Sequence, residues 1–215
     1  MAEEEPALDV ASWMDAALAG QQPAVPEEGD ELARGEIQAQ EALLWKAYKD
    51  AATRAGWDRH LMGVPATVEK MIQDSGKLEI KAGQLKSGDK SMPYTLMAKG
   101  EKPADGWPLF ISMHGGGKHH GKNKIEAHGW DVNSREWQAQ MQLTARVYSP
   151  AGLYFLPRMA DDRMGRWWHK HNIDIFTRMI SRAILFNDID PNRIYIMGIS
   201  QGGYGSCHLA PLIAD

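Results

Sequence analysis

The segment Pro108-Leu109-Phe110-Ile111-Ser112-Met113 runs directly into His114-Gly115-Gly116-Gly117. The apolar run is too short for an ordinary helix and too continuous for a strand with one wet face, so it predicts a strand covered on both sides. Leu153-Tyr154-Phe155-Leu156 and Arg193-Ile194-Tyr195-Ile196-Met197 read the same way. Helical patterns separate them over 134–144 and 173–186, and another starts at Gly202. Strands alternating with helices give a mostly parallel sheet with helices on both faces. Upstream, Leu78–Ala82 and Tyr94–Ala98 alternate apolar and polar residues around the turn chemistry of Ser87-Gly88-Asp89, which predicts an antiparallel pair at the sheet edge. The expected fold class is α/β.

Charge divides the chain differently. The 215 residues carry a net charge of −4, yet residues 1–33 hold nine acids and no base. The arm, with Gly20, Pro23, Pro26 and Gly29, reads as a solvated lead-in with one short helix near Val10–Leu18; it is a flexible tail or a docking arm for a basic partner. Ile37, Leu44, Tyr48 and Ala51 then recur at helical spacing between Glu31 and Ala55, with Gly56 as a stop, and a second short helix is expected over 66–73. The expected organisation is an acidic, helical segment over 1–75 and an α/β domain over 76–215. A small negative charge argues against a nucleic-acid binder driven by phosphate contacts. No apolar run is long enough to span a membrane. The single cysteine, Cys207, excludes an intramolecular disulfide and a thiolate-rich metal site, and is expected as a small buried core residue. No basic, apolar leader follows Met1, so the chain is expected in the cytoplasm if Met1 is native, and secreted or periplasmic if a signal was removed.

The strongest chemical signal is Gly198-Ile199-Ser200-Gln201-Gly202, between a predicted strand and a predicted helix. A turn that tight holds Ser200 in a strained backbone conformation above the sheet, and small residues two positions either side avoid clashes. The Gln201 N–H, at the helix N-terminus, then points to where a carbonyl oxygen acquires negative charge. The glycines after the earlier strand leave bare N–H groups for the other half of such an oxyanion hole, given by Gly115 or Gly116. His114 braces this loop and, with Gly117, lines the substrate site. Trp167 and Trp168, with Trp130 and Trp137 elsewhere, line an acyl or sugar pocket or pack an interface. His119-His120 and His169-x-His171 lack an acid or cysteine at ligand spacing, so they read as surface or pocket-lining residues and not as a zinc site. Asp161-Asp162-Arg163 reads as a polar loop at a strand's C-terminal end, where ligands bind in open α/β sheets. No metal and no organic cofactor is expected.

The run Asp190-Pro191-Asn192-Arg193-Ile194-Tyr195-Ile196-Met197-Gly198-Ile199-Ser200-Gln201-Gly202-Gly203 resembles the nucleophile strand and turn of α/β-hydrolases. The likeness is to the esterase and poly(3-hydroxyalkanoate) depolymerase-like group, which shades into prolyl-oligopeptidase-type enzymes. His114-Gly115-Gly116-Gly117 is similar to that family's oxyanion loop. The resemblance covers residues 76–215 and implies hydrolysis of small-molecule or polymeric carboxylic esters through an acyl-enzyme on Ser200. A serine peptidase and a non-catalytic binding protein are the alternatives. The family places its acid and base histidine after the nucleophile. Here His208 and Asp215 are the candidates after Ser200. His208, eight residues along the helix, lies about 12 Å away along its axis. The expectation is therefore a front portion of such a hydrolase, with its triad partners beyond Asp215 and the 215 residues alone catalytically silent and poorly soluble.

Overall fold

The computed structural model describes residues 9–24, 33–57, 79–117, 125–162 and 165–213. The chain divides into two compact units, 1–59 and 60–215. The helix expected over 66–73 lies outside the described residues.

The first unit pairs α1 (Val10–Leu18) with α2 (Arg34–Arg54). Asp9 caps α1, its carboxylate accepting from the Ala11 N–H at 3.2 Å and the Ser12 hydroxyl at 2.5 Å. This satisfies donors that a helix N-terminus leaves open. Arg54 grips both carboxylate oxygens of Asp15 at 2.9 Å, and Ala51 and Ala52 beside it are fully buried. The apolar stripe expected on α2 is covered only near this end: Ile37 and Leu44 remain 48% and 45% exposed. A helix of 9 residues reaches less than half the length of one of 21, at about 1.5 Å per residue.

The second unit is a five-stranded sheet in the order β1-β2-β4-β3-β5. Its strands are β1 (Glu79–Ser87), β2 (Lys90–Lys99), β3 (Trp107–Met113), β4 (Gly152–Pro157) and β5 (Ile189–Gly198). The hairpin β1–β2 forms one edge, as the alternation predicts. β2 is antiparallel to both β1 and β4, whereas β3 is parallel to β4 and β5. The register of β3 on β5 shifts between Trp107 and Leu109, at Pro108, which has no N–H to give to a ladder. Among the described residues, three helices pack on the sheet: α3 (Ile125–Arg146), α4 (Lys170–Phe186) and α5 (Gln201–Ile213).

Strand alternation sorts the side chains onto two faces. Tyr94, Leu96, Leu109, Ile111, Met113 and Phe155 point to α4 and α5 and close a core with Ile175, Phe176 and Met179. Met97, Phe110, Tyr154 and Leu156 point the other way, to Trp137 and Met141 of α3. Phe110 stacks between Tyr154 and Tyr195, its register partners on the two neighbouring strands, at 4.7 and 5.0 Å; such cross-strand pairs are the unit of sheet stabilisation. The fold class is therefore α/β, a mostly parallel sheet covered on both faces, as the sequence predicts. Phe176 is fully buried between α4 and the sheet. Phe176→Ala should lower unfolding free energy by about 3–5 kcal/mol, read from urea titration. Val147→Ala, 63% exposed, should stay within about 0.5 kcal/mol of the parent.

Candidate active site

The turn from β5 into α5 is held by the absence of two side chains. A Cβ on Gly198 would lie 2.4 Å from the carbonyl carbon of Gly202, and a Cβ on Gly202 would lie 2.2 Å from the Met113 oxygen at the end of β3. Neither distance admits an atom, so the backbones of the turn, of α5 and of β3 touch directly. Between the two glycines Ser200 is exposed at φ +54°, a left-handed conformation that costs a non-glycine residue about 1–3 kcal/mol. The Gly202 N–H donates to the Ile199 carbonyl at 2.8 Å and the Tyr204 N–H to the Ser200 carbonyl at 3.0 Å, which lock the start of α5. Gln201 is the first residue of that helix, where an N–H has no intrahelical acceptor.

The glycine loop after β3 packs against this turn. A Cβ on Gly115 would sit 3.5 Å from Ser200 Cβ. Gly116 and Gly117 have φ of +82° and +112°, conformations open to glycine. The N–H groups of Gly115 and Gly116 have no acceptor among the described residues. The Gly117 N–H is committed: it donates to Asn133 Oδ1 at 3.0 Å. Asn133, fully buried on α3, donates in turn to Asp162 Oδ1 at 2.7 Å. Asp162 accepts two bonds from the Arg158 guanidinium at 2.9 and 3.1 Å, and Arg158 is itself buried. Burial pushes the Arg158 pKa down, opposed by the Asp162 charge.

His114 is enclosed. Its Nδ1 meets the Gly115 carbonyl at 2.5 Å and its Nε2 accepts from the Met159 N–H at 3.0 Å, which requires the neutral Nδ1–H tautomer. Burial pushes its pKa down to about 3. The Trp167 Nε1–H donates to the His114 carbonyl at 3.1 Å. Both rings are fully buried, and both brace the loop, the role the sequence suggests for His114.

Of the other expected site residues, Trp168 is half-buried and packs on His208, ring centroids 4.4 Å apart. Ser200 Oγ makes no hydrogen bond among the described residues. His169 and His171 lie 5.9 Å apart, ring to ring; no cluster of metal-ligating side chains exists among the described residues. Asp161 pairs with Lys90 at 2.8 Å. Trp137 is core, donating to the Leu156 carbonyl at 2.9 Å. His119, His120 and Arg163 lie outside the described residues. Cys207 is exposed, not buried: the inward positions of α5 are Gly202, Gly205 and Leu209, and Cys207 falls on the opposite side of the turn.

Two further residues border the site. Glu136, one helical turn after Asn133, brings Oε2 to 2.8 Å from the point where a Gly115 Cβ would stand. Arg166 brings Nη1 to 3.5 Å from the corresponding point on Gly117. The sequence pattern starts α3 at Ser134, whereas the helix starts at Ile125, and this leaves Asn133 outside the predicted element and Glu136 with no assigned role.

The sequence matches no protein-family model and no curated relative. Among solved structures, it is similar to an ester hydrolase from the metagenome of Lake Arreo, solved with a bipyridine phosphonate derivative (TM-score 0.39, 20% identity, 86% of this chain and 56% of that one). A second α/β hydrolase from the same metagenome, solved as a serine-to-alanine mutant, has TM-score 0.39 and 21% identity over 81% of this chain and 54% of its own. A thermostable esterase from Pseudomonas putida has TM-score 0.40 and 14% identity over 99% and 56%. The chain thus spans little more than half the length of these structures.

Two outcomes check the site's construction. Gly202→Ala forces a Cβ into the Met113 carbonyl and should cost about 3 kcal/mol or more, read as a shift in urea midpoint; an unchanged midpoint would mean the turn and β3 are not in contact. His114 is neutral when folded at pH values where an unfolded imidazole takes a proton. Its contribution to stability is full above pH 6.5 and is lost as pH falls from there toward 3. Stability should drop by about 2 kcal/mol between pH 6.5 and 5, and His114→Asn should flatten that slope.

Proposed function

We propose that this chain is a serine hydrolase of carboxylic esters, with Ser200 as nucleophile. The observation that carries the reading is Ser200 itself: a left-handed serine between two glycines that admit no Cβ, with the Gly115 backbone packed on its side chain. Folding keeps such strain where the surrounding structure fixes it, and serine gains from it a hydroxyl projected off the end of a strand. In the proposed reaction Ser200 Oγ attacks the ester carbonyl and its proton passes to a base. The carbonyl oxygen takes the negative charge and accepts hydrogen bonds from the Gln201 N–H and from the N–H of Gly115 or Gly116. Collapse expels the alcohol and leaves an acyl-enzyme, which water hydrolyses over the same donors. The Gly117 N–H takes no part, being held by Asn133; its task is to fix the two glycines before it. The reading needs neither a metal nor an organic cofactor. It fits a small-molecule ester or an accessible chain of a polymer, because Ser200 is exposed.

Ser200→Ala should reduce turnover of p-nitrophenyl butyrate by roughly 10⁴ or more, and a fluorophosphonate probe should label Ser200, read by peptide mass. Gly116→Val should lower kcat by about 10²–10³, since one oxyanion donor is displaced, and should lower stability as well, because a Cβ there meets Asn133 Oδ1 at 3.0 Å at a φ of +82°. A residual rate in Ser200→Ala within tenfold of the parent would remove Ser200 from the chemistry. A folded protein that carries the triad acid and base and shows neither labelling nor turnover would leave a binding protein. Matched ester and peptide substrates separate an esterase from a peptidase.

A further inference from the structure

Among the described residues, Glu136 is the charged group that borders the glycine loop beside Ser200 and that the proposed chemistry does not use. A point at the missing Cβ of Gly115 lies 2.8 Å from Glu136 Oε2 and 3.5 Å from Ser200 Cβ, so carboxylate and serine border the same point beside the loop. The stem of Glu136 runs beside the loop: its Cγ lies 3.1 Å, and Asn133 Oδ1 3.0 Å, from the point where a Gly116 Cβ would stand. The carboxylate is exposed and makes no hydrogen bond or ion pair among the described residues.

Among the described residues, the other charges around the loop do not pair with it. Arg166 sits at the far end, against Gly117; its Nη1 donates to the Gly165 carbonyl at 3.2 Å and its guanidinium lies 5.8 Å over the Trp168 ring. Arg158 is paired with Asp162 behind Asn133. His114 is buried beneath the loop and uncharged. An unpaired carboxylate beside an oxyanion hole repels the charge that develops there. It repels an anionic substrate further, and it attracts a cationic one.

We infer that Glu136 makes this a site for esters carrying an ammonium group beside the scissile carbonyl, as α-aminoacyl esters do. The inference rests on Ser200 being the reacting residue. In such an ester the ammonium nitrogen is two bonds from the carbonyl carbon. Glu136 Oε2 accepts a charge-assisted hydrogen bond from it while the carbonyl lies over Ser200, and the ammonium cancels the repulsion between carboxylate and oxyanion. Glu136 thus sets specificity through the charge of the acyl part.

The test is binding, measured where turnover is removed. In Ser200→Ala, calorimetry or ligand-observed NMR compares L-alanine methyl ester with methyl propionate, which lacks the amine, and with monomethyl malonate, which is anionic. At pH 6 the ammonium is charged. The alanine ester is expected to bind about tenfold or more tightly than the propionate, and the malonate to bind weakest. Adding Glu136→Gln should bring the alanine-to-propionate ratio to within about twofold of one, and Glu136→Asp should retain most of the preference. Circular dichroism confirms that each variant is folded. A parent that does not distinguish the esters, or a preference that survives Glu136→Gln, overturns the inference. Failure of the esterase reading is separate: Glu136-dependent ammonium binding with no Ser200-dependent turnover in the parent sinks that reading alone. Ser200-dependent hydrolysis of neutral esters without the Glu136-dependent preference sinks this one alone.

Discussion

The contact on which the site depends is between backbones. Gly202 lies against the Met113 carbonyl so closely that a Cβ there would come within 2.2 Å of the oxygen, and Gly198 lies equally close to Gly202. This brings the end of β3 and the start of α5 together. The Ile199 N–H adds a long bond to the Met113 carbonyl at 3.4 Å. Because β3 and β5 are parallel neighbours in register, the loop leaving β3 and the turn leaving β5 emerge at the same sheet edge, where open α/β sheets place their ligands. The meeting of Gly115 and Ser200 is a consequence of topology and of two absent side chains. No side-chain hydrogen bond is needed to produce it.

Keeping the glycine loop in one conformation is a different problem, since three successive glycines lose more backbone entropy than any other triplet. The protein orders them from both sides. Beneath, His114 bridges the Gly115 carbonyl and the Met159 N–H, and Trp167 holds the His114 carbonyl. Beside, the buried chain Arg158–Asp162–Asn133 ends on the Gly117 N–H. Every link in that chain is buried or half-buried, so losing one leaves a desolvated polar group without its partner, a cost of about 1–3 kcal/mol each.

How much of this is legible in the sequence follows from range. Continuous apolar runs mark β3 and β4, alternation marks the β1–β2 hairpin, and the glycine spacing around Ser200 marks the turn, because each depends on neighbours within a few residues. The start of α3 is not legible: the stretch from Ile125 to Asn133 contains His128 and Gly129, which break the apolar period that reveals the rest of the helix. With that turn missed, Asn133 has no visible connection to Gly117, 16 residues earlier. His114 is read from the sequence as a brace of the loop, but the partners of His114 and Trp167 are not legible there: only the tertiary packing shows that their polar atoms bond inside the protein. Cys207 shows the weakness of composition: cysteine is often buried, but helix phase decides, and the phase of α5 is set by Gly202, Gly205 and Leu209.

The two faces of the sheet are built differently, and this explains why α3 is the helix that reaches the site. The α4–α5 face is closed by apolar packing around Phe155, Phe176 and Met179, which tolerates small adjustments of helix position. The α3 face adds polar pins. Gln140 donates to Ser112 on β3 at 2.8 Å, Trp137 to the Leu156 carbonyl on β4 at 2.9 Å, and the Lys99 ammonium of β2 to the Thr144 carbonyl at 2.8 Å near the helix's C-terminal end. Directional bonds to three strands fix the rotation and axial position of α3 more tightly than apolar contact does. Asn133, Trp137, Gln140 and Thr144 follow one another at three- and four-residue spacing along a single buried stripe. Once the pins set that stripe against the sheet, the next turn back places Asn133 at Gly117 and Glu136 at Gly115. The glycine loop beside Ser200 is thus braced from a helix whose own sequence carries no catalytic motif.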